Sequence, residues 1–126
     1  MTPEEAGREG WRLSFSDEFI RQHRAELESH LQRTLAHATP RFAYERHFQA
    51  TMTLRVFKQL KEIKAPTLVV TGRDDILIPA ANSEILAREI PGAELVIVDH
   101  AGHGFFISAR EQFLQVFKDF LARQRG

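Results

Sequence analysis

The chain has 126 residues, 43% hydrophobic and 10% aromatic, an ordinary globular composition for one modest domain and not that of a disordered chain. Lysine plus arginine and aspartate plus glutamate number 17 each, so no excess positive charge exists to hold a phosphate backbone, and nucleic acid is not an expected partner. Zero cysteines exclude disulfides, thiolate metal sites and cysteine nucleophiles together, and without an apolar signal region after Met1 or an apolar run of membrane length a soluble cytoplasmic protein is expected.

From Ser16 to about Ala38 the residues sort by helical angle, with Phe19, Ile20, Leu27, Leu31 and Leu35 on one side and Arg21, Glu26, Glu28, Gln32 and Arg33 on the other. The pattern predicts one amphipathic helix with Ser16 as N-cap, and Asp17 and Glu18 against the positive end of its dipole. His23, His30 and His37 recur every seven residues, which suggests a metal site. Two helical turns separate successive members by about 10 Å, so no pair can share one ion, and they are expected as partly buried residues at the border of the apolar stripe. Thr39-Pro40 reads as a stop and restart, with Phe42, Tyr44, Phe48, Met52 and Leu54 available as apolar contacts of a second helix. A shorter helical piece is expected around Val56 to Ile63.

The character changes at Ala65-Pro66. Leu68-Val69-Val70, stopped by Gly72, and Leu95-Val96-Ile97-Val98, bounded by Pro91-Gly92 and Gly102, are short unalternating apolar runs. Such runs suit strands of a parallel sheet covered on both faces, and Ala81 to Ile90 between them reads as a crossover helix, giving a βαβ unit. Phe113, Leu114, Val116, Phe117, Phe120 and Leu121 then follow helical spacing, with Ser108 and Glu111 as a capping box at the start. Two strands leave an edge unshielded, so the chain is expected to form the last part of a larger α/β domain and to associate through that edge.

Asp75 and His103 fall just beyond the carboxyl ends of the two strands, the edge where ligands bind in open α/β sheets. A right-handed crossover should make the strands near neighbours and bring carboxylate and imidazole together. In that arrangement Asp75 accepts a hydrogen bond from one ring nitrogen of His103, and the other takes a proton from a hydroxyl nucleophile. Taken alone, Gly72-Arg73-Asp74-Asp75 is also good turn chemistry. His100 and Arg73 are expected as solvated surface residues, and Phe106 either as pocket lining or packed under the final helix.

The pieces Pro66-Thr67-Leu68-Val69-Val70, Gly72-x-x-Asp75-x-x-x-Pro79, Ile90-Pro91-Gly92-Ala93 and Ala101-Gly102-His103 occur in an order and spacing that resembles the C-terminal end of the α/β-hydrolase superfamily. The resemblance implies an α/β fold class, a C-terminal βαβα piece of the parallel sheet over residues 63–126, preceded by a helical cap-like segment over residues 1–62. It assigns Asp75 as the family acid, in preference to Asp74, and His103 as the family base, with no cofactor and no metal. It also implies hydrolysis of an ester, lactone, amide or C–C bond in a small substrate.

In that family the nucleophile elbow precedes the cap, and none of Ser14, Ser16, Ser29, Ser83 and Ser108 carries the flanking glycines of Gly-x-Ser-x-Gly. The chain is therefore expected to be a fragment that is inactive alone, with the choice between a Ser and an Asp nucleophile open. The alternatives are a non-catalytic binding or assembly module, and a separate chain that supplies the missing parts.

Overall fold

The computed structural model describes residues 1–124. Its first helix, α1 (Pro3–Ser14), is an element that hydrophobic periodicity did not announce. Its cause lies in the start signals: Thr2 Oγ1 accepts from the Glu5 amide at 3.2 Å, Glu5 Oε2 accepts from the Thr2 amide at 2.7 Å, and Pro3 fills the first helical position.

The single helix expected from Ser16 to Ala38 is two helices, α2 (Asp17–Gln22) and α3 (Arg24–Ala36), broken at His23. Ser16 does cap α2, accepting from the Phe19 amide at 3.2 Å. The break has a packing cause. Phe19 of α2 stacks on Phe15 at 4.9 Å between centroids, while α3 turns its buried Leu27 and Leu31 toward α1. Gly7 lets that approach happen, since a Cβ there would meet Leu31 Cδ1 at 2.4 Å, and Arg8 holds Glu28 across the helix pair through two hydrogen bonds of 2.8 and 3.0 Å. Both helices thus pack on α1, Phe19 at its end and Leu31 at Gly7, with the turn between them at His23.

Helix α4 (Arg41–Thr53) starts after Pro40, which stands at its N-cap and not inside its first turn. The contacts expected of its apolar residues are not made among the described residues: Phe42, Tyr44, Phe48 and Met52 are all more than half exposed. A 3₁₀ turn (Phe57–Glu62) leads into the sheet.

Strands β1 (Leu68–Gly72) and β2 (Glu94–Val98) pair in parallel, Leu68 opposite Glu94 through Gly72 opposite Val98. Helix α5 (Ala80–Glu89) connects them and packs on both, and the C-terminal helix α7 (Arg110–Arg123) packs on β2. This is the expected βαβα order. The strands are less covered than their apolar runs predict. Val69, Thr71 and Val98 are buried but Leu68, Val70 and Leu95 to Ile97 are only half-buried. The sheet has two strands among the described residues, so the outer edge of β1 has no neighbouring strand there.

The expected capping box at the last helix is absent. Ser108 ends a single turn, α6 (Phe105–Ser108), and its hydroxyl donates back to the Gly104 carbonyl at 3.3 Å; α7 begins after Ala109 without a side-chain cap. Local pairing inside α6 has taken the hydroxyl that Glu111 would have needed nearby.

Candidate active site

The acid and the imidazole come from loops that leave the carboxyl ends of β1 and β2. After Gly72 the chain turns tightly, the Asp75 amide donating to the Gly72 carbonyl at 3.4 Å, and the Asp75 side chain points inward at 5% exposure. Its Oδ1 accepts from the Leu77 and Ile78 amides at 2.9 and 2.8 Å. Its Oδ2 stands 2.9 Å from His103 Nδ1. Three hydrogen bonds thus hold the carboxylate, and it cannot rotate without losing amides that the acid loop itself supplies.

Burial is the largest single influence on Asp75 and pushes its carboxyl up. The Ile78 amide, the His103 ring and the Leu77 amide act the other way and together win, holding the group below the ordinary carboxylate value.

The histidine loop is fixed against the acid loop by backbone. The Arg73 amide donates to the Val98 carbonyl at 2.9 Å and the Asp74 amide to the Ala101 carbonyl at 3.0 Å. A Cβ on Gly72 would lie 2.2 Å from the Ala101 oxygen, so only glycine allows this approach. His100 takes a positive φ of 57° where the loop reverses, and its side chain is exposed. Arg73 is exposed as expected, and it forms an ion pair with Asp99 that spans the two loops. From the other side, the Gly104 amide donates to the Ser14 carbonyl at 2.8 Å, which ties the end of α1 to the residue after His103.

His103 is 38% exposed, and among the described residues Nε2 has no hydrogen-bond partner. An imidazole held at Nδ1 by a carboxylate presents its other nitrogen as a proton acceptor, the arrangement needed for general-base work. No serine hydroxyl hydrogen-bonds the ring among the described residues.

Beside His103 lies a cavity of about 370 Å³, lined by Trp11, Phe15, Phe19, Leu27 and Phe106 among others. Sequence reasoning missed Trp11 and Phe15 as lining residues, and the Thr2-Pro3-x-Glu5 start signal of α1 was the clue that could have placed them. Phe106 lines the cavity and is half exposed; the ring that packs under the final helix is Phe105, edge-on to Phe113 at 5.7 Å. Of the three spaced histidines, His23 is half-buried and stacks on Phe19 at 4.2 Å, whereas His30 and His37 are exposed. No group of three metal-ligating side chains forms among the described residues. Nor is any described helix long and apolar enough to cross a membrane.

Comparison with known proteins places this geometry in context. Residues 12–109 match the model of the alpha/beta hydrolase fold family. The chain is 36% identical over 92 residues to RutD of Stutzerimonas stutzeri (strain A1501), a candidate carbamate hydrolase, covering 73% of this chain and 35% of that protein. It is 36% identical over 59 residues to the pimeloyl-[acyl-carrier protein] methyl ester esterase of Nitrosomonas europaea, covering 47% of this chain and 23% of that enzyme. In structure it resembles the candidate non-heme bromoperoxidase BpoC of Mycobacterium tuberculosis H37Rv, with a TM-score of 0.79 and 18% identity over 98% of this chain and 46% of that one. The chain spans 35% and 38% of the length of two of the curated relatives it matches.

Proposed function

The chain belongs to the α/β-hydrolase fold family, and from that premise we propose that it carries the acid and base of a hydrolase acting on an ester, lactone or related bond of a small substrate. Asp75 is the acid that orients the ring and supports the imidazolium. His103 is the base that takes the nucleophile's proton through Nε2 and returns it to the leaving group. The observation that carries this reading is the 2.9 Å contact of His103 Nδ1 with a carboxylate whose other oxygen is held by two backbone amides. Residues 63–126 form the C-terminal part of the catalytic core in this reading, and residues 1–62 a cap over the cavity. Cytoplasmic location accompanies it.

A nucleophile must reach Nε2 from outside the residues that line it here, because no Gly-x-Ser-x-Gly segment occurs in the sequence. The chain alone is therefore inactive toward esters. The test joins the full chain behind the part of the Stutzerimonas stutzeri relative that precedes its matched region. The chimera should hydrolyse p-nitrophenyl esters, with turnover lost in Asp75→Asn and His103→Ala. A folded chimera without turnover, or turnover that survives His103→Ala, overturns the assignment.

The exposed apolar residues of α4 and the open edge of β1 favour a second reading, a non-catalytic assembly module derived from a hydrolase. That reading gains if the chimera folds, fails to turn over and the isolated chain forms a defined oligomer.

A further inference from the structure

The cavity beside His103 has a chemical polarity of its own. Helices α1 and α3 run antiparallel, since Gly7 faces Leu31 and Arg8 reaches back to Glu28. Ser14 and Phe15, which touch Gly104, therefore lie near the His23 end of α3, where the cavity meets His103. His30 and Arg33 line the same cavity further along that helix. From His23 to Arg33 is ten residues, about 15 Å of helix rise. Trp11, Phe15 and Leu27 provide an apolar wall between the two ends.

The lining carries one carboxylate, Glu26, and one guanidinium, Arg33, seven residues apart on α3. Glu26 is 3.3 Å from His23 Nδ1 and is engaged there. Arg33 donates from Nη1 to Ser29 Oγ at 2.8 Å, an uncharged partner on its own helix, and no carboxylate among the described residues pairs with it. A guanidinium steadied by a hydroxyl, with an imidazole one turn away and a hydrophobic path leading from it, suits an anion at the end of an apolar chain. One fixed cation matches a monoanion better than a phosphate monoester of nearly double charge.

We propose that Arg33, with His30, receives the terminal carboxylate of a medium-chain acyl substrate whose reacting carbonyl lies at His103. The identity of the reacting end rests on the acid–base reading of Asp75 and His103, whereas the anion site is tested by binding alone. The substrate class is thus a half-ester or related monoacyl derivative of a dicarboxylic acid, not a simple neutral ester.

Trp11 is the sole tryptophan of the chain and lines the cavity, so its emission reports occupancy. The full chain is titrated with monomethyl suberate, an anionic half-ester, and with dimethyl suberate, its neutral counterpart. The half-ester should bind about tenfold or more tightly than the diester, the worth of a charge-assisted hydrogen bond. Arg33→Gln should erase that preference, Arg33→Lys should keep part of it, and Arg41→Gln on α4, away from the cavity lining, should leave it unchanged. Arg33 is exposed, and unaltered circular dichroism will show that its variants fold as the parent does. Equal affinity for the two ligands, a preference that survives Arg33→Gln, or no saturable response to the half-ester overturns the proposal. Loss of anion preference leaves the acid–base reading standing, and an inactive chimera leaves this binding result standing.

Discussion

A Cβ on Gly72 would stand 2.2 Å from the carbonyl oxygen of Ala101, so the end of β1 meets the histidine loop backbone against backbone. The contact leaves the Asp74 amide free to donate to that same Ala101 oxygen, and it sets the distance at which Asp75 faces His103. Gly72→Ala forces the two loops apart because neither contacting atom is a flexible side-chain end. We expect it to cost about 1–3 kcal/mol or more of stability, as overpacking does. Thermal unfolding of the variant decides this, and an unchanged midpoint would show that the loops are not in contact.

Asp75→Asn keeps shape but removes the charge that His103 Nδ1 faces. In the active chimera turnover should drop by about 10²–10⁴, the usual span of general acid–base catalysis. In the isolated chain a low-field proton resonance from Nδ1–H should disappear with the substitution. Its persistence in the variant would mean that His103 bonds something else.

Acid should loosen the site in a definite direction. The folded-state value of Asp75 lies below the ordinary one, so the carboxylate binds its proton less readily in the native state than in the unfolded chain. Its contribution to stability is complete above the ordinary carboxylate value, about 3.9, and is lost as pH falls through the lower folded value. Unfolding midpoints between about pH 5 and pH 2 should therefore decline more steeply in the parent than in Asp75→Asn. Parallel curves would refute a native-state role for the ionised group.

Two serine and threonine positions make opposite predictions. Thr2→Ala removes a cap whose hydroxyl meets the Glu5 amide and should cost about 0.5–2 kcal/mol. Ser108→Ala removes only a bond back to Gly104 within α6 and should change stability by less than about 0.5 kcal/mol. Denaturant unfolding of both variants measures the contrast, and a larger loss from Ser108→Ala would restore the capping box that the spacing to Glu111 suggests.

The isolated chain should also associate. Phe42 at 62%, Phe48 at 56% and Met52 at 60% exposure leave α4 apolar toward solvent, and β1 offers an unpaired edge. Light scattering should show dimers or larger species, or the chain should bind a hydrophobic dye. Phe48→Gln with Met52→Gln should reduce either signal. A strictly monomeric, dye-free species with a sharp unfolding transition contradicts the expectation.

Sequence alone determined the βαβα order, because apolar runs bounded by proline and glycine at Pro66, Gly72, Pro91 and Gly92 carry strand and turn information within a few residues of themselves. It also put Asp75 and His103 at the strands' carboxyl ends, since such a loop is defined as soon as the strand is, while the resemblance of Gly72-x-x-Asp75-x-x-x-Pro79 to the family's acid loop picked Asp75 over Asp74. Only the tertiary structure decided the rest. The break at His23 lets α2 and α3 both pack on α1, Phe19 against Phe15 and Leu31 against Gly7, contacts that one-dimensional periodicity cannot encode. Trp11 and Phe15 became cavity walls through the bond from the Gly104 amide to Ser14, a contact across ninety residues of chain. The partner of each amide, and the ring that covers each loop, is set by which surfaces meet, and that is a property of packing rather than of local propensity.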